Sequence, residues 1–279
     1  MNIAIVGVGL IGGSIALRLR ETEQYNKIIG VDKSEANRKK ALQLKLVDEF
    51  VTLEEAIDQC KVVILATPVD AIVQLAPYIL DRVTDQVLID MGSTKINILE
   101  QIADHPKRGR YVAAHPMAGT EYSGPEAALP DLFKDKNMVY VEAFKSDEDA
   151  FDLADTITEQ LEMKSLFMNA EEHDMHTAYV SHISHLTSFA LALTVLEKEK
   201  SQGRIFELAG SGFESTVRLA KSSPDMWTPI FKQNRINVLE VLEEHIKQLQ
   251  KLHDKIEAED YEGLHKLIKK SNKIKRIIK

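Results

Sequence analysis

The sequence predicts an α/β fold, an open, doubly wound parallel sheet over residues 1–169, followed by an all-α segment over 170–279. Three observations lead there. Short, wholly apolar runs alternate with helical stretches as far as Phe167, and strands apolar on both faces belong to a parallel sheet covered by helices on each side. A glycine-rich hexapeptide follows the first of these runs, at the turn where such sheets bind nucleotides. Beyond Asn169 the strand signal stops and a helical period takes over.

The elements follow in order. Ile3-Ala4-Ile5-Val6 is the first strand, and Ser14 to Arg20 reads as helix. Ile28 to Asp32 is the second strand, after which Ser34 is placed to cap a helix running through Arg38 and Leu42. Helical stretches at Leu53–Gln59 and Ala71–Leu80 separate the strands Val62–Ala66 and Val87–Asp90. Tyr111–Ala114 and Met138–Val141 extend the parallel series, and Lys164–Phe167 closes it. In the second part, Leu186, Phe189, Ala190, Leu193 and Leu196 share one helical face, and Val238, Leu242, Ile246, Leu249 and Leu252 share another. Gly203 and Gly210-Ser211-Gly212 punctuate these helices.

Composition narrows the class. With 44% hydrophobic and 28% charged residues the chain is ordinary globular protein, and no apolar run of about 18 to 20 residues suggests a membrane span. Ile3–Val6 lacks a basic flank of the kind that heads a signal peptide. The single Cys60 suits a reducing compartment, so a cytoplasmic protein is expected. A net charge of −8 disfavours nucleic acid as a partner. The basic stretch Lys266–Lys279 has no aromatic residue to stack on bases, and reads as a solvated helix end complementing its own dipole.

Gly7-Val8-Gly9-Leu10-Ile11-Gly12 matches G-x-G-x-x-G after a strand and before a helix, the Rossmann-type fingerprint. Gly7 permits the tight turn, Gly9 lets a pyrophosphate approach the backbone, and Gly12 allows the helix to pack closely on the strand. Asp32 ends the second strand, where a carboxylate accepts from a ribose 2′-hydroxyl and repels a 2′-phosphate. NAD is therefore the expected cofactor, with Leu10, Ile11 and Thr67 beside the glycines as further contacts. Ser93 and Lys95 follow the Val87–Asp90 strand, and His115 follows the next one. Both thus fall at the ligand-binding edge. A hydroxyl and an imidazole beside a nicotinamide suit alcohol oxidation, the histidine taking the hydroxyl proton as hydride leaves. The residues alone leave open a helix cap or an ordinary loop histidine at position 115.

Several segments together resemble the prephenate/arogenate dehydrogenase family of tyrosine biosynthesis. They are Gly7–Ser14, Asp90–Lys95, His115-Pro116-Met117-Ala118-Gly119-Thr120-Glu121, His173-Asp174, Ser181-His182-Ile183-Ser184-His185 and Arg218–Trp227. The resemblance covers essentially the whole chain. It implies NAD-dependent oxidative decarboxylation of prephenate to 4-hydroxyphenylpyruvate, within a Rossmann-type domain over 1–169 and an all-α substrate and dimerisation domain over 170–279. It further implies that His115 accepts the proton of the ring hydroxyl and that Ser93 orients that histidine or that hydroxyl. Arg218 would bind a substrate carboxylate, His182 and His185 the side chain, and Trp227, Thr120 and Glu121 would form the wall. A homodimer is implied as well. In one departure, Glu214 stands where the family often has a basic residue, which leaves side-chain specificity open.

Two rival readings remain: arogenate dehydrogenase, with the same chemistry on an amine-bearing substrate, and a non-catalytic NAD-sensing protein. His173, His176, His182 and His185, with Glu172 and Asp174 nearby, imitate a metal-ligand set. Hydride transfer needs no metal, and none is expected.

Overall fold

The computed structural model describes residues 1–202 and 204–277; Gly203 and the last two residues of the basic stretch lie outside the described residues. Strands β1 (Asn2–Val6), β2 (Lys27–Val31), β3 (Glu49–Phe50), β4 (Val62–Leu65), β5 (Val87–Asp90), β6 (Tyr111–Pro116), β7 (Asn137–Val141) and β8 (Lys164–Met168) form one sheet of order β3-β2-β1-β4-β5-β6-β7-β8. Helices α1 (Leu10–Glu21), α2 (Glu35–Gln43), α3 (Leu53–Gln59), α4 (Val69–Arg82), α5 (Ile96–Gln101) and α6 (Glu148–Gln160) connect them.

The wholly apolar strands divide their side chains between two cores. Ile3, Ile5, Ile64, Ile89 and Val112 pack with Ile15 and Leu19 of α1 and Ile157 of α6. Their neighbours Ala4, Val6, Val63, Leu65 and Leu88 pack on the opposite face with Ile57 of α3 and Ile72 and Ile79 of α4. Each buried Val, Leu or Ile among them stabilises the fold by about 1.5–3 kcal/mol. The chain order reverses between β1 and β4, which opens the crevice where doubly wound sheets hold ligands.

Local signals set the helix starts. Ser34 Oγ accepts from the Asn37 amide, as its position predicted, and Thr52 and Glu55 form a capping box at α3.

Two strand expectations change. The sheet is not parallel throughout: β7 runs antiparallel to β6, with Ala113 opposite Val141 and Pro116 opposite Met138. No α-helix lies between Pro116 and Asn137 to return the chain to the opposite edge, and a parallel strand requires such a crossover. Strand β3 is an addition, too short at Glu49–Phe50 to leave a periodic trace.

Beyond the sheet come α7 (Ala170–Thr177), a π-helical turn (Ala178–His182), α8 (Ile183–Gln202), α9 (Ser211–Val217), α10 (Pro224–Gln233), α11 (Arg235–Glu257) and α12 (Tyr261–Ser271). The chain separates into compact units at Met1–Asn234 and Arg235–Lys279. The first unit extends past the sheet because α7 and α10 are bonded to it: Asp174 accepts from the Lys95 and Ile96 amides, and Gln233 bonds Thr94 and Asp70.

The continuous helical run Ala170–Lys200 is long and apolar enough to cross a membrane by length and composition, with a mean hydropathy of 1.3 over its best window. No span was expected, because polar residues interrupt every apolar run there; the window average passes over them. Ahead of that window in the same run, His173 and Asp174 are buried and Asp174 accepts from the Lys95 and Ile96 amides, a placement foreign to a lipid-facing helix. The apolar side chains Leu193 and Leu196 near its end are 66% and 51% exposed in the single chain. In the second unit, Ile246 and Leu249 of α11 are likewise exposed.

Candidate active site

The turn between β1 and α1 is shaped by glycine in three different ways. Gly7 has φ +91°, and a Cβ there would lie 2.7 Å from the Ala66 carbonyl oxygen. A Cβ on Gly12 would lie 2.1 Å from the Gly7 carbonyl oxygen, so only glycine lets α1 approach the strand. A Cβ on Gly9 would meet nothing within 4 Å. That open face lies at the N-terminus of α1, which has no side-chain cap and thus offers backbone amides to an anion. Asp32 braces the turn: Oδ2 accepts from the Val8 amide at 3.1 Å and Oδ1 from the Ser34 amide at 2.8 Å. Each carboxylate oxygen retains acceptor capacity for a ribose hydroxyl. The Thr67 methyl lies against Gly7, and its Oγ1 is buried with no hydrogen-bond partner among the described residues. An open glycine, uncapped amides and an orphaned hydroxyl together fit a dinucleotide.

His115 is the penultimate residue of β6, and its Nδ1 lies 2.8 Å from His173 Nε2. His173 Nδ1 in turn lies 2.7 Å from Asp174 Oδ1. Both residues lie in the middle of α7, whose N-cap Asn169 accepts from the Glu172 amide. The Asp174 carboxylate also accepts from the Lys95 amide at 2.9 Å and the Ile96 amide at 3.1 Å, at the start of α5. Below it, Lys95 Nζ meets Asp90 Oδ2 at 2.5 Å with both side chains fully buried, and the Tyr111 hydroxyl donates to the same oxygen at 2.7 Å. Burial pushes the His115 imidazole well below its ordinary range, and His173, Lys95 and His182 push it the same way. His173 is lowered chiefly by burial, against the pull of Asp174.

A pocket of about 350 Å³ faces His115. Leu10 and Ile11 of the glycine turn line one side, and His182, His185, Arg218 and Trp227 line another. The π-helical turn ends at His182, whose Nδ1 lies 3.2 Å from the Asn234 amide nitrogen. Burial lowers the His182 pKa to about 4. His185 stacks on Trp227 with centroids 3.5 Å apart, and the buried Trp227 Nε1 has no protein acceptor. Arg218 is 47% exposed and donates to Glu121 at 2.6 Å. Thr120 lines the pocket, and Ser93 does so from the β5–α5 loop.

Of the expected site residues, Leu10, Ile11, Ser93, His115, Thr120, His182, His185, Arg218 and Trp227 line this pocket; Glu121 reaches it through Arg218, and Gly7, Gly9, Gly12, Asp32 and Thr67 lie at the glycine turn outside the lining. Glu214, the departure from the family pattern, is exposed on α9 and outside the lining as well. One expected contact differs. Ser93 makes no hydrogen bond to His115 among the described residues; the partner that holds the imidazole is His173. Reading from sequence gave His173 and Asp174 no role in the site; they stood only in a segment matching the family and in the imitation metal set. The imitation metal set disperses: His173 binds His115, His182 binds Asn234 and His176 is exposed.

A glycine-rich turn at the switch point of a mostly parallel sheet, facing across a small pocket a half-buried histidine whose pKa burial holds down, defines a nucleotide-binding dehydrogenase. Residues 15–167 match the family model described as prephenate dehydrogenase, nucleotide-binding domain, and residues 169–270 the one described as prephenate dehydrogenase, dimerization domain. The chain belongs to the prephenate dehydrogenase family. It is 32% identical to a prephenate dehydrogenase of Bacillus subtilis over 96% of this chain and 73% of that protein. The structure of a prephenate dehydrogenase from A. aeolicus in complex with hydroxyphenyl propionate and NAD+ superposes with a TM-score of 0.89, at 33% identity, over 99% of this chain and 97% of that one. The Synechocystis arogenate dehydrogenase structure gives a TM-score of 0.75 at 26% identity, over 99% of both chains.

Proposed function

We propose that this protein catalyses NAD-dependent oxidative decarboxylation of prephenate to 4-hydroxyphenylpyruvate, a step of tyrosine biosynthesis. The observation that carries the reading is His115, a half-buried base whose pKa burial holds down, lining one pocket with the glycine turn and Arg218. Gly7, Gly9 and Gly12 shape the pyrophosphate cradle, Leu10, Ile11 and Thr67 border it, and Asp32 takes the ribose. When bound, NAD supplies the hydride acceptor.

The chain's own groups do the rest. Arg218 holds a substrate carboxylate, in exchange for its present bond to Glu121; a guanidinium suits that planar anion. Trp227, Thr120, His182 and His185 would fix the ring and side chain beside the glycine cradle that would hold NAD. His115 takes the proton of the C4 hydroxyl as hydride leaves C4. The C1 carboxylate then departs as CO2, its bonding electron pair completing the aromatic ring, and the oxygen recovers its proton as the phenol. Ser93 bonds the reacting hydroxyl from the opposite loop. No metal takes part.

The chain divides in this reading at 169/170, into a nucleotide-binding domain and a helical substrate and dimerisation domain. The exposed apolar faces of α8 and α11, with the match to a dimerization domain, support a homodimer. The buried, unpaired Cys60, its thiol pushed up to about 11 by burial, supports a cytoplasmic location. NADH production with prephenate and with arogenate, each tested with NAD and NADP, decides the function. A large preference for arogenate would transfer the name, and no turnover despite NAD binding would make the protein a sensor.

A further inference from the structure

The hydrogen bonds around Asp174 leave little freedom in where the protons of the pocket histidines sit. Its carboxylate accepts two backbone amides, from Lys95 and Ile96, and an ionised carboxylate has only acceptor capacity to offer a third partner. The His173 nitrogen 2.7 Å away is therefore the N–H. A neutral imidazole carries one N–H, so His173 Nε2 bears a lone pair. His115 Nδ1, 2.8 Å from that lone pair, must donate to it. The proton of His115 is then on Nδ1, and its Nε2 is bare.

The main chain of the same residue sets the second ring. The Asp174 carbonyl oxygen requires a donor, so the Asn234 side-chain nitrogen at 2.6 Å is its NH2. The other hydrogen of that NH2 meets His182 Nδ1 at 3.2 Å, which must accept. His182 is then protonated on Nε2.

We infer that Asp174 is a positioning residue that fixes opposite tautomers on the two pocket histidines, presenting a bare Nε2 on His115 as acceptor and an Nε2–H on His182 as donor. The consequence is a polarity across the pocket: a hydroxyl proton is drawn toward His115, and an oxygen lone pair toward His182. When His115 gains its proton, the charge is shared along the His173 bond toward the Asp174 carboxylate, and the proton returns by the same atom. The groups that face His115 are His173 on α7, Lys95 at the start of α5 and His182 on the π-helical turn. The inference rests on His115 being the base, but its first test does not.

That test is 15N NMR of histidine-labelled protein at about pH 8, where free imidazole is neutral, with His115→Asn and His182→Gln used to assign the two rings. Wild type is expected to show His115 protonated on Nδ1 and His182 on Nε2. In Asp174→Asn, the side-chain oxygen stays on the two amides and the NH2 faces His173, which reverses His173 and with it His115. The variant should show His115 Nε2–H, with kcat lowered roughly 10²-fold or more and both KM values within about threefold. Wild-type His115 found with Nε2–H, or an Asp174→Asn enzyme with near-normal kcat, overturns the inference. If Asp174→Asn does not fold, the wild-type tautomers decide alone. Should His115→Asn retain normal kcat while the tautomers are as stated, the base assignment fails and the tautomer assignment stands.

Discussion

The glycine turn and the histidine pocket meet at one sheet edge, yet they are built in opposite ways. The turn is contiguous, Gly7 to Gly12, and works through backbone and missing side chains. The pocket draws Ser93, His115, His182 and Trp227 from separate elements, and works through side chains held by partners far away in sequence. A contiguous device tolerates change anywhere except at its own few atoms. A dispersed one fails when any of its supports moves, and a buried neutral histidine is only as well placed as its partner.

The sharpest test of this contrast is His115→Asn. It should lower kcat about 10²-fold or more, the scale of losing a general base, while NAD affinity measured by titration stays near wild type. Normal turnover would remove the chemical half of the comparison.

Next in size is Gly12→Ala. Its Cβ collides with backbone, so thermal or urea unfolding should show a loss of about 1–3 kcal/mol, with weaker NAD binding. Unchanged stability would mean that α1 can retreat from β1 at no cost.

Arg218→Ala should raise the KM for prephenate about tenfold or more and leave kcat nearly unchanged, since its bond is made in ground and transition states alike. Equal falls in kcat and kcat/KM would move Arg218 into the chemistry.

Acid should weaken the pocket before the turn. His115, His173, His182 and His185 all have lowered pKa values in the fold. The unfolded chain takes up protons below about pH 6.5 that the folded chain refuses. Their stabilisation is thus full above pH 6.5 and declines as pH falls, for His182 until about 4. Urea unfolding at pH 8 and pH 5 should show the decline, and His182→Gln should flatten it. With His115 as the proposed base, its deprotonated form is the active one, so the acid limb of kcat/KM should lie below pH 6.5.

The smallest effect belongs to Gly9→Ala. No described protein atom stands where its Cβ would go, so the stability cost should be only that of the poorer N-cap, about 1 kcal/mol or less. NAD affinity should still fall, because the methyl group occupies the cradle. Unchanged affinity would place the pyrophosphate elsewhere.

The same contrast explains what could be read from sequence. Gly7, Gly9, Gly12 and Asp32 carry their geometry in local spacing, and His115 ends an apolar run, so their positions were legible. The antiparallel β7 was not, because an apolar strand reads alike in either direction and only the missing crossover helix distinguishes them. His173 and Asp174 were legible as residues but not in their role. The bond from His173 to His115 spans 58 positions, and nothing in either neighbourhood announces it.

The π-helical turn at Ala178–His182 amounts to one residue inserted into a helix, and each residue of an α-helix turns its successors by about 100°. Deleting one residue there would leave His173 and Asp174 in place while swinging His182, His185 and all of α8 around the axis. A single codon thus separates two phases of the same helix, one carrying His173 and Asp174 and the other His182 and His185. Lineages in which that codon is lost would be expected to rebuild the substrate wall from other side chains while keeping the His-Asp pair.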